Sequence, residues 1–420
     1  MKRILVYRYI DIFNKTDYKT VWRTFQKNYS GCCPNFGNKL WYQGLISEIS
    51  SEDNFIDFYD KEMSIDMINS SFDFMLAPMA NVFSVDFIFG IESFIEFINK
   101  LRIPVFVISC GASANSYDDL DELINSIGNI SKKFIKAVYD TGGDLALRGY
   151  FTGEFFKRLG FLNPSVVGCP SLFQIGRGLK ITNSKVEKEE FKVALNGDLK
   201  LAYHFLKKYD GLFYDQDIMF RYLYDPTLFS KDDNCLKNAL KIDRAFPDLG
   251  TFFADLLSDD RIRLIADMWD WQYSLINEGC VFSFGTRIHG NIMSLLSQIP
   301  CVIINVDTRV KEMAEFYNIP NIDISHISNK KIDLFELYTK TDYTSFNSTY
   351  NQKYDEFEKY LIKCGIVDKI NSNNKFLFCS DGNYPKTAQH ETMVYSKIVK
   401  KYKAFFEIIN MFLKAKNKHK

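Results

Sequence analysis

Val281-Phe282-Ser283-Phe284-Gly285-Thr286-Arg287-Ile288-His289-Gly290 leads from an apolar run through a glycine into an arginine and a histidine. Val281 to Phe284 fits a buried strand, Gly285 permits a tight exit, and Gly290 to Gln298 has helical spacing before Ile299-Pro300 ends it. Cys301 to Val306 reads as the next strand. In such a strand-helix-strand unit the loop after the first strand opens on the ligand crevice, where free helix N–H groups and the dipole favour an anion. Arg287 and His289 stand in that mouth. The competing reading is a strand-end arginine beside a packed histidine.

Outward from this stretch, strand and helix patterns alternate, which is the signature of stacked βαβ units and a parallel sheet. Ile4 to Tyr7, Phe74 to Ala77, Val105 to Ser109, Leu145 to Leu147 and Ser165 to Val167 read as strands. Between them, Leu40 to Ile49, Ile91 to Leu101, Leu120 to Val138 and Thr152 to Leu159 read as helices. The second half repeats the scheme with strands at Phe191 to Leu195 and Gly211 to Tyr214 and helices at Leu199 to Lys208, Asp260 to Asn277 and Lys311 to Tyr317. Residues 176 to 190, polar and glycine-bearing, are the natural linker. The fold class expected is α/β, with two doubly wound Rossmann-like domains over residues 1–180 and 181–335 facing a cleft, and a Lys-rich helical extension over 336–420.

Composition excludes several classes. The 420 residues are 46% hydrophobic and 16% aromatic, enough for two cores and unlike a disordered or fibrous chain. Lys plus Arg equals Asp plus Glu at 52 each, so no global field favours nucleic acid, and anion recognition must be local. The nine cysteines are scattered with no C-x-x-C pair, and the five histidines are far apart, so a metal site is not expected and a reducing cytoplasm is the simplest home. The apolar stretch from Phe72 to Ile91 carries Asp73, Pro78, Asn81 and Asp86, which argues against a spanning helix. Val394 to Lys420 interleaves Phe, Ile and Lys as an amphipathic basic helix: a closing helix packed on the first domain, or a peripheral contact with the inner face of a membrane.

Asp144-Leu145-Ala146-Leu147-Arg148-Gly149-Tyr150 repeats the opening logic, a strand ending in arginine and glycine before a helix. Each guanidinium offers a planar fork suited to carboxylate or phosphate. Gly168-Cys169-Pro170-Ser171-Leu172 leaves a strand through a fixed turn that lines the same crevice. With Asn35-Phe36-Gly37-Asn38, Gly285 to Gly290, Ile299-Pro300, Asp307-Thr308-Arg309 and Glu312-Met313-Ala314, this ordered set resembles the polysaccharide pyruvyl transferase family over roughly residues 31 to 320.

The resemblance implies a glycosyltransferase-B-like pair of domains and transfer of a pyruvyl group, as a ketal, from phosphoenolpyruvate to a sugar of a cell-surface polysaccharide or its lipid-linked precursor. Phosphoenolpyruvate is a co-substrate, and no cofactor or nucleic acid is implied. By motif match, His289 and Arg287 are the catalytic candidates, and Arg148, Arg287, Thr286, Ile288, Gly290, Asn35, Gly37 and Asn38 the substrate-binding ones; Asp118 joins them by its place near the first crevice. Asn38 stands where the family usually carries aspartate, and an amide cannot act as a base. His289 suits a general acid, its pKa lowered by the helix N-terminus when empty and raised by a bound phosphate. Asp118 and Asp119 follow a small-residue loop near the first crevice, and Trp269 and Trp271 are either a sugar platform or helix core. The alternatives are a nucleotide-sugar glycosyltransferase, with Asp307 and Glu315 holding a ribose, and a catalytically silent glycan-binding homologue.

Overall fold

The computed structural model of the chain describes residues 1–7, 35, 37–51, 53–88, 90–216, 259–265, 268–328 and 332–368. The basic helix expected at Val394 to Lys420 lies outside the described residues. Among the described residues, two parallel six-stranded sheets make up the fold. The first holds β1 (Lys2–Val6), β2 (Asn54–Phe58), β3 (Phe74–Pro78), β4 (Val105–Cys110), β5 (Asp144–Leu147) and β6 (Ser165–Val166), in the order β2-β1-β3-β4-β5-β6. The second holds β7 (Lys192–Asn196), β8 (Asp210–Asp215), β9 (Ile262–Leu264), β10 (Phe282–Gly285), β11 (Cys301–Asn305) and β12 (Asn321–Asp323), in the order β12-β11-β10-β7-β8-β9.

In the second sheet the order reverses between β7 and β10, and in the first between β1 and β3. Open α/β sheets present their ligand crevice outside the carboxyl ends of the strands at such a point. The stretch after β10 therefore exits at the second switch point.

Strands covered on both faces read as continuous apolar runs, and here successive side chains feed two different cores. Ile4, Val6, Phe74, Leu76, Phe106 and Ile108 face one cluster; Leu5, Met75, Ala77, Val105 and Val107 face the other. The second cluster is closed by α2 (Ile65–Ser71), α3 (Ile91–Ile98), α4 (Leu120–Asp140) and α5 (Tyr150–Arg158). The first runs on without interruption into the core of the second sheet. Helix α1 (Gly37–Ile49) lies in this shared core, with every residue except Asn38 buried, as befits a helix covered all round.

Helices α6 (Leu199–Leu206), α7 (Met268–Asn277), α8 (Ile288–Leu296) and α9 (Thr308–Tyr317) belong to the second sheet. They are followed by α10 (Ile324–Ser328), α11 (Leu334–Lys340) and α12 (Thr344–Lys363). Helix α12 returns to the first half, where Tyr350, Tyr354 and Phe357 close around Phe173 at ring distances of 6.1, 5.5 and 5.3 Å. Tyr350 also donates to Gly176 O at 2.9 Å.

One expected element is corrected. Asp260 to Asn277 is not a single helix, because Ile262–Leu264 forms strand β9 on the free edge of β8 before α7 begins. Arg261 donates to carbonyls of Leu206, Tyr209 and Gly211 at 3.0 to 3.1 Å, and Arg263 to Glu278 Oε1 at 2.5 Å, so both arginines are tied to neighbouring chain rather than to a helical turn.

Candidate active site

The turn after β10 is held by a buried polar network. Asn196, the last residue of β7, accepts the Arg287 N–H on its side-chain oxygen at 3.0 Å and the Thr286 N–H on its carbonyl at 3.2 Å. Asn291, one helical turn beyond, donates from Nδ2 to Gly285 O and to Arg287 O, both at 3.0 Å. Ser283 Oγ donates to Asn291 Oδ1 at 3.0 Å, completing a triad of residues at most 5% exposed. Buried amides with their partners in place fix one geometry, so Thr286, Arg287, Ile288, His289 and Gly290 leave the switch point in a single arrangement. Arg287 is half-buried and caps α8 with its backbone, while Ile288 opens the helix.

Arg148 ends β5 and is 4% exposed. Its Nε and Nη2 donate to Ser109 O at 3.3 and 3.2 Å, and its Nη1 to Asn81 Oδ1 at 3.1 Å. Ser109 has a left-handed φ of 61° at the point where the register of β4 against β5 shifts, a conformation that costs energy and clusters at sites. The fork expected to face a ligand is thus partly committed to the protein, leaving one N–H on each terminal nitrogen beyond these bonds.

His289 is brought close to Arg148 from the other sheet. Its imidazole is 7% exposed, its Nε2 has no hydrogen-bond partner among the described residues, and burial followed by the Arg148 charge pushes its pKa down to about 3. Gly37, the first residue of α1, permits the approach: a Cβ there would stand 2.8 Å from His289 Cβ and 3.0 Å from Asn35 Oδ1. Asn35 Oδ1 accepts from Gly37 N at 2.9 Å and from Gln216 Nε2 at 2.7 Å, tying the early loop to the end of β8. Asn38, half-buried, only closes the turn by donating its N–H to Asn35 O at 3.0 Å.

Other candidates fall elsewhere. Asp118 is exposed on a short 3-10 turn, and among the described residues no hydrogen bond or ion pair joins it to Arg148, Arg287 or His289. The Gly168 to Leu172 turn is a buried seam, with the Tyr317 hydroxyl accepting from Cys169 N and donating to Cys169 O at 2.6 Å each. Trp271 is core at 1% exposure. Asp307 caps α9 and pairs with Arg309, and Glu315 accepts from the Tyr117 hydroxyl at 2.7 Å, so neither acid stands free for a ribose. Sequence reading missed Asn196, Asn291 and Gln216. For Asn196 the signal was there, since an apolar strand ending in Asn-Gly follows the same pattern as one ending in Arg-Gly.

Two parallel α/β sheets, with a buried arginine of one half beside a buried histidine of the other, define a two-lobed protein with a candidate site at the seam. The chain belongs to the polysaccharide pyruvyl transferase family, whose model matches residues 7–308. Membership makes it a sugar-modifying transferase. Among curated proteins no relative matches. Of solved structures, it is similar to the S. aureus MnaA-UDP co-structure at 10% identity and a TM-score of 0.40, covering 88% of this chain and 98% of that one. It is also similar to a UDP-N-acetylglucosamine 2-epimerase at 11% identity and a TM-score of 0.34, with coverages of 88% and 97%. No helix among the described residues is long and apolar enough to cross a membrane.

Proposed function

We propose that the chain transfers a pyruvyl group from phosphoenolpyruvate to a sugar of a cell-surface polysaccharide or its lipid-linked precursor, forming a ketal on a glycosyltransferase-B-like frame. The observation that carries this reading is the buried, unpartnered His289 imidazole beside the Arg148 cation at a seam between two sheets. Phosphoenolpyruvate carries a carboxylate and a phosphate close together, which suits Arg148, Arg287 and the N-terminus of α8. In this reading residues 1–180 form the acceptor side and 181–335 the donor side.

At neutral pH the empty site holds His289 uncharged. An arriving anion offsets the Arg148 charge and favours the imidazolium, so donor binding arms the acid. His289 then delivers its proton to the methylene carbon as a sugar hydroxyl attacks the neighbouring carbon; phosphate leaves with one hydroxyl proton, and as the second hydroxyl closes the ring its proton returns to His289. Thr286, Ile288 and Gly290 shape the donor mouth, and Asn35, Gly37 and Asn38 form its floor from the first half.

The test is phosphate release from phosphoenolpyruvate across a panel of sugar acceptors, with His289→Ala alongside. Turnover by the wild type and a drop on the order of 10² to 10⁴ in the variant are expected. Stabilisation by nucleotide sugars and none by phosphoenolpyruvate in a thermal-shift assay would overturn the reading.

A further inference from the structure

Helix α9 of the second half meets the loops of the first from Thr308 to Tyr317. Thr308 Oγ1 accepts from Ala114 N at 2.9 Å, Glu315 from the Tyr117 hydroxyl, and Tyr317 bonds Cys169. Between them lies Glu312, a carboxylate only 1% exposed. Its Oε2 accepts the Thr152 N–H at 2.9 Å, and both of its oxygens lie 2.9 Å from the Thr152 hydroxyl that donates to them.

Thr152 is the third residue of α5, the helix that begins two residues after Arg148, and the N-cap residue Gly149 provides no side-chain cap. A carboxylate from the opposite half therefore takes the place of the missing cap, where helix N–H groups and dipole favour it. Gly149 leaves the necessary room, since a Cβ there would stand 2.8 to 2.9 Å from Glu312 atoms. The Thr152 hydroxyl also accepts from Ala112 N at 2.8 Å, so the exits of β4 and β5, which flank Arg148, are held together beneath one carboxylate. Among the described residues, no hydrogen bond or ion pair links Arg148 itself to the second half; its three bonds go to Ser109 and Asn81.

We propose that Glu312 is a positioning residue for the donor site: by capping α5 across the seam it sets the place of Arg148 relative to His289, and so the spacing of the groups that receive the anionic donor. The proposal rests on the phosphoenolpyruvate reading only for the identity of the kinetic probe. Arg148, Asp307, Tyr117 and Cys110 are the charged and titratable groups within the field of this carboxylate.

The experiment combines steady-state kinetics with hydrogen exchange of the ligand-free protein, using Glu312→Ala, Glu312→Asp, Thr152→Val and Thr152→Ser. Glu312→Ala and Thr152→Val should raise the KM for phosphoenolpyruvate about tenfold, the scale of one hydrogen bond to a charged group, with a smaller change in kcat. Thr152→Ser keeps the hydroxyl and should retain the wild-type KM, whereas Glu312→Asp keeps the charge but loses the reach and should behave like Ala. Exchange at residues 150–153 should quicken in Glu312→Ala while the second sheet stays protected. Thr152→Val approaches the same contact from the other side should Glu312→Ala not fold. Unchanged KM in both, or equal losses in kcat and KM accompanied by a global loss of protection, would overturn the proposal. If the wild type does not turn over phosphoenolpyruvate, the donor reading fails, and wild-type exchange at 150–153 in Glu312→Ala would separately overturn the docking role.

Discussion

Burial and the Arg148 charge keep His289 neutral down to about pH 3, while burial pushes Glu312 up to about 7. These shifts act on stability in opposite senses. As pH falls below 6.5 the unfolded chain protonates its histidine before the folded one does, so the His289 contribution is lost between 6.5 and about 3. Glu312 stays protonated in the fold after the unfolded carboxyl has ionised, so its contribution is lost as pH rises from 4.5 to about 7, and Glu48, pushed to about 8 by burial, adds to that loss. Between pH 4.5 and 6.5, His289→Asn should therefore show a stability that falls more steeply with rising pH than the wild type, and Glu312→Gln one that falls less steeply. Each difference should approach one proton, about 1.4 kcal/mol per pH unit, measured by denaturant unfolding across pH. Parallel profiles for all three proteins would show that neither group is buried as described. Asn291→Ala should cost about 1 to 3 kcal/mol, because it removes the oxygen that accepts from the Ser283 hydroxyl and the Asn196 amide and the side-chain donor to the Gly285 carbonyl in a closed core.

At the scale of elements, the meeting of α1 with α8 depends on Gly37. An alanine improves an exposed helix, but here its methyl would press on His289 and Gln216. Gly37→Ala should lower stability by about 1 to 3 kcal/mol and turnover with it; a gain in stability would mean that the two helices do not touch there. The same element shows what a sequence discloses. The Arg148 and Arg287 exits were legible because each joins an apolar run, a glycine and a helical period in one short window. Strands β2, β9 and β12 were not, being three to five residues long at or near sheet edges, where pairing with a neighbour rather than any apolar run makes a strand. Residues such as Gln216 and Asn291 read as ordinary polar positions until the fold places them against their partners. Asp118, close to a crevice loop in sequence, lies on an exposed turn.

Across the whole molecule, the core of the second half continues beneath the first sheet, and Phe173 is its junction, with rings of Tyr317, Tyr350, Tyr354 and Phe357 within 6.1 Å. The described fold should consequently melt in one calorimetric transition, and Phe173→Ala should lower stability by about 3 to 5 kcal/mol without splitting it. Two separated transitions in the wild type would show that the halves fold independently. The return of α12 to the first half also bears on recombination between relatives. A crossover placed in the 176–190 connection would set a foreign first lobe against the residues of α9 and α12 that pack on the original one, stranding Glu312 and exposing the Tyr350 and Tyr354 rings. The transplantable piece is discontinuous: the first lobe keeps its packing only in the company of the segments it meets on α8, α9 and α12.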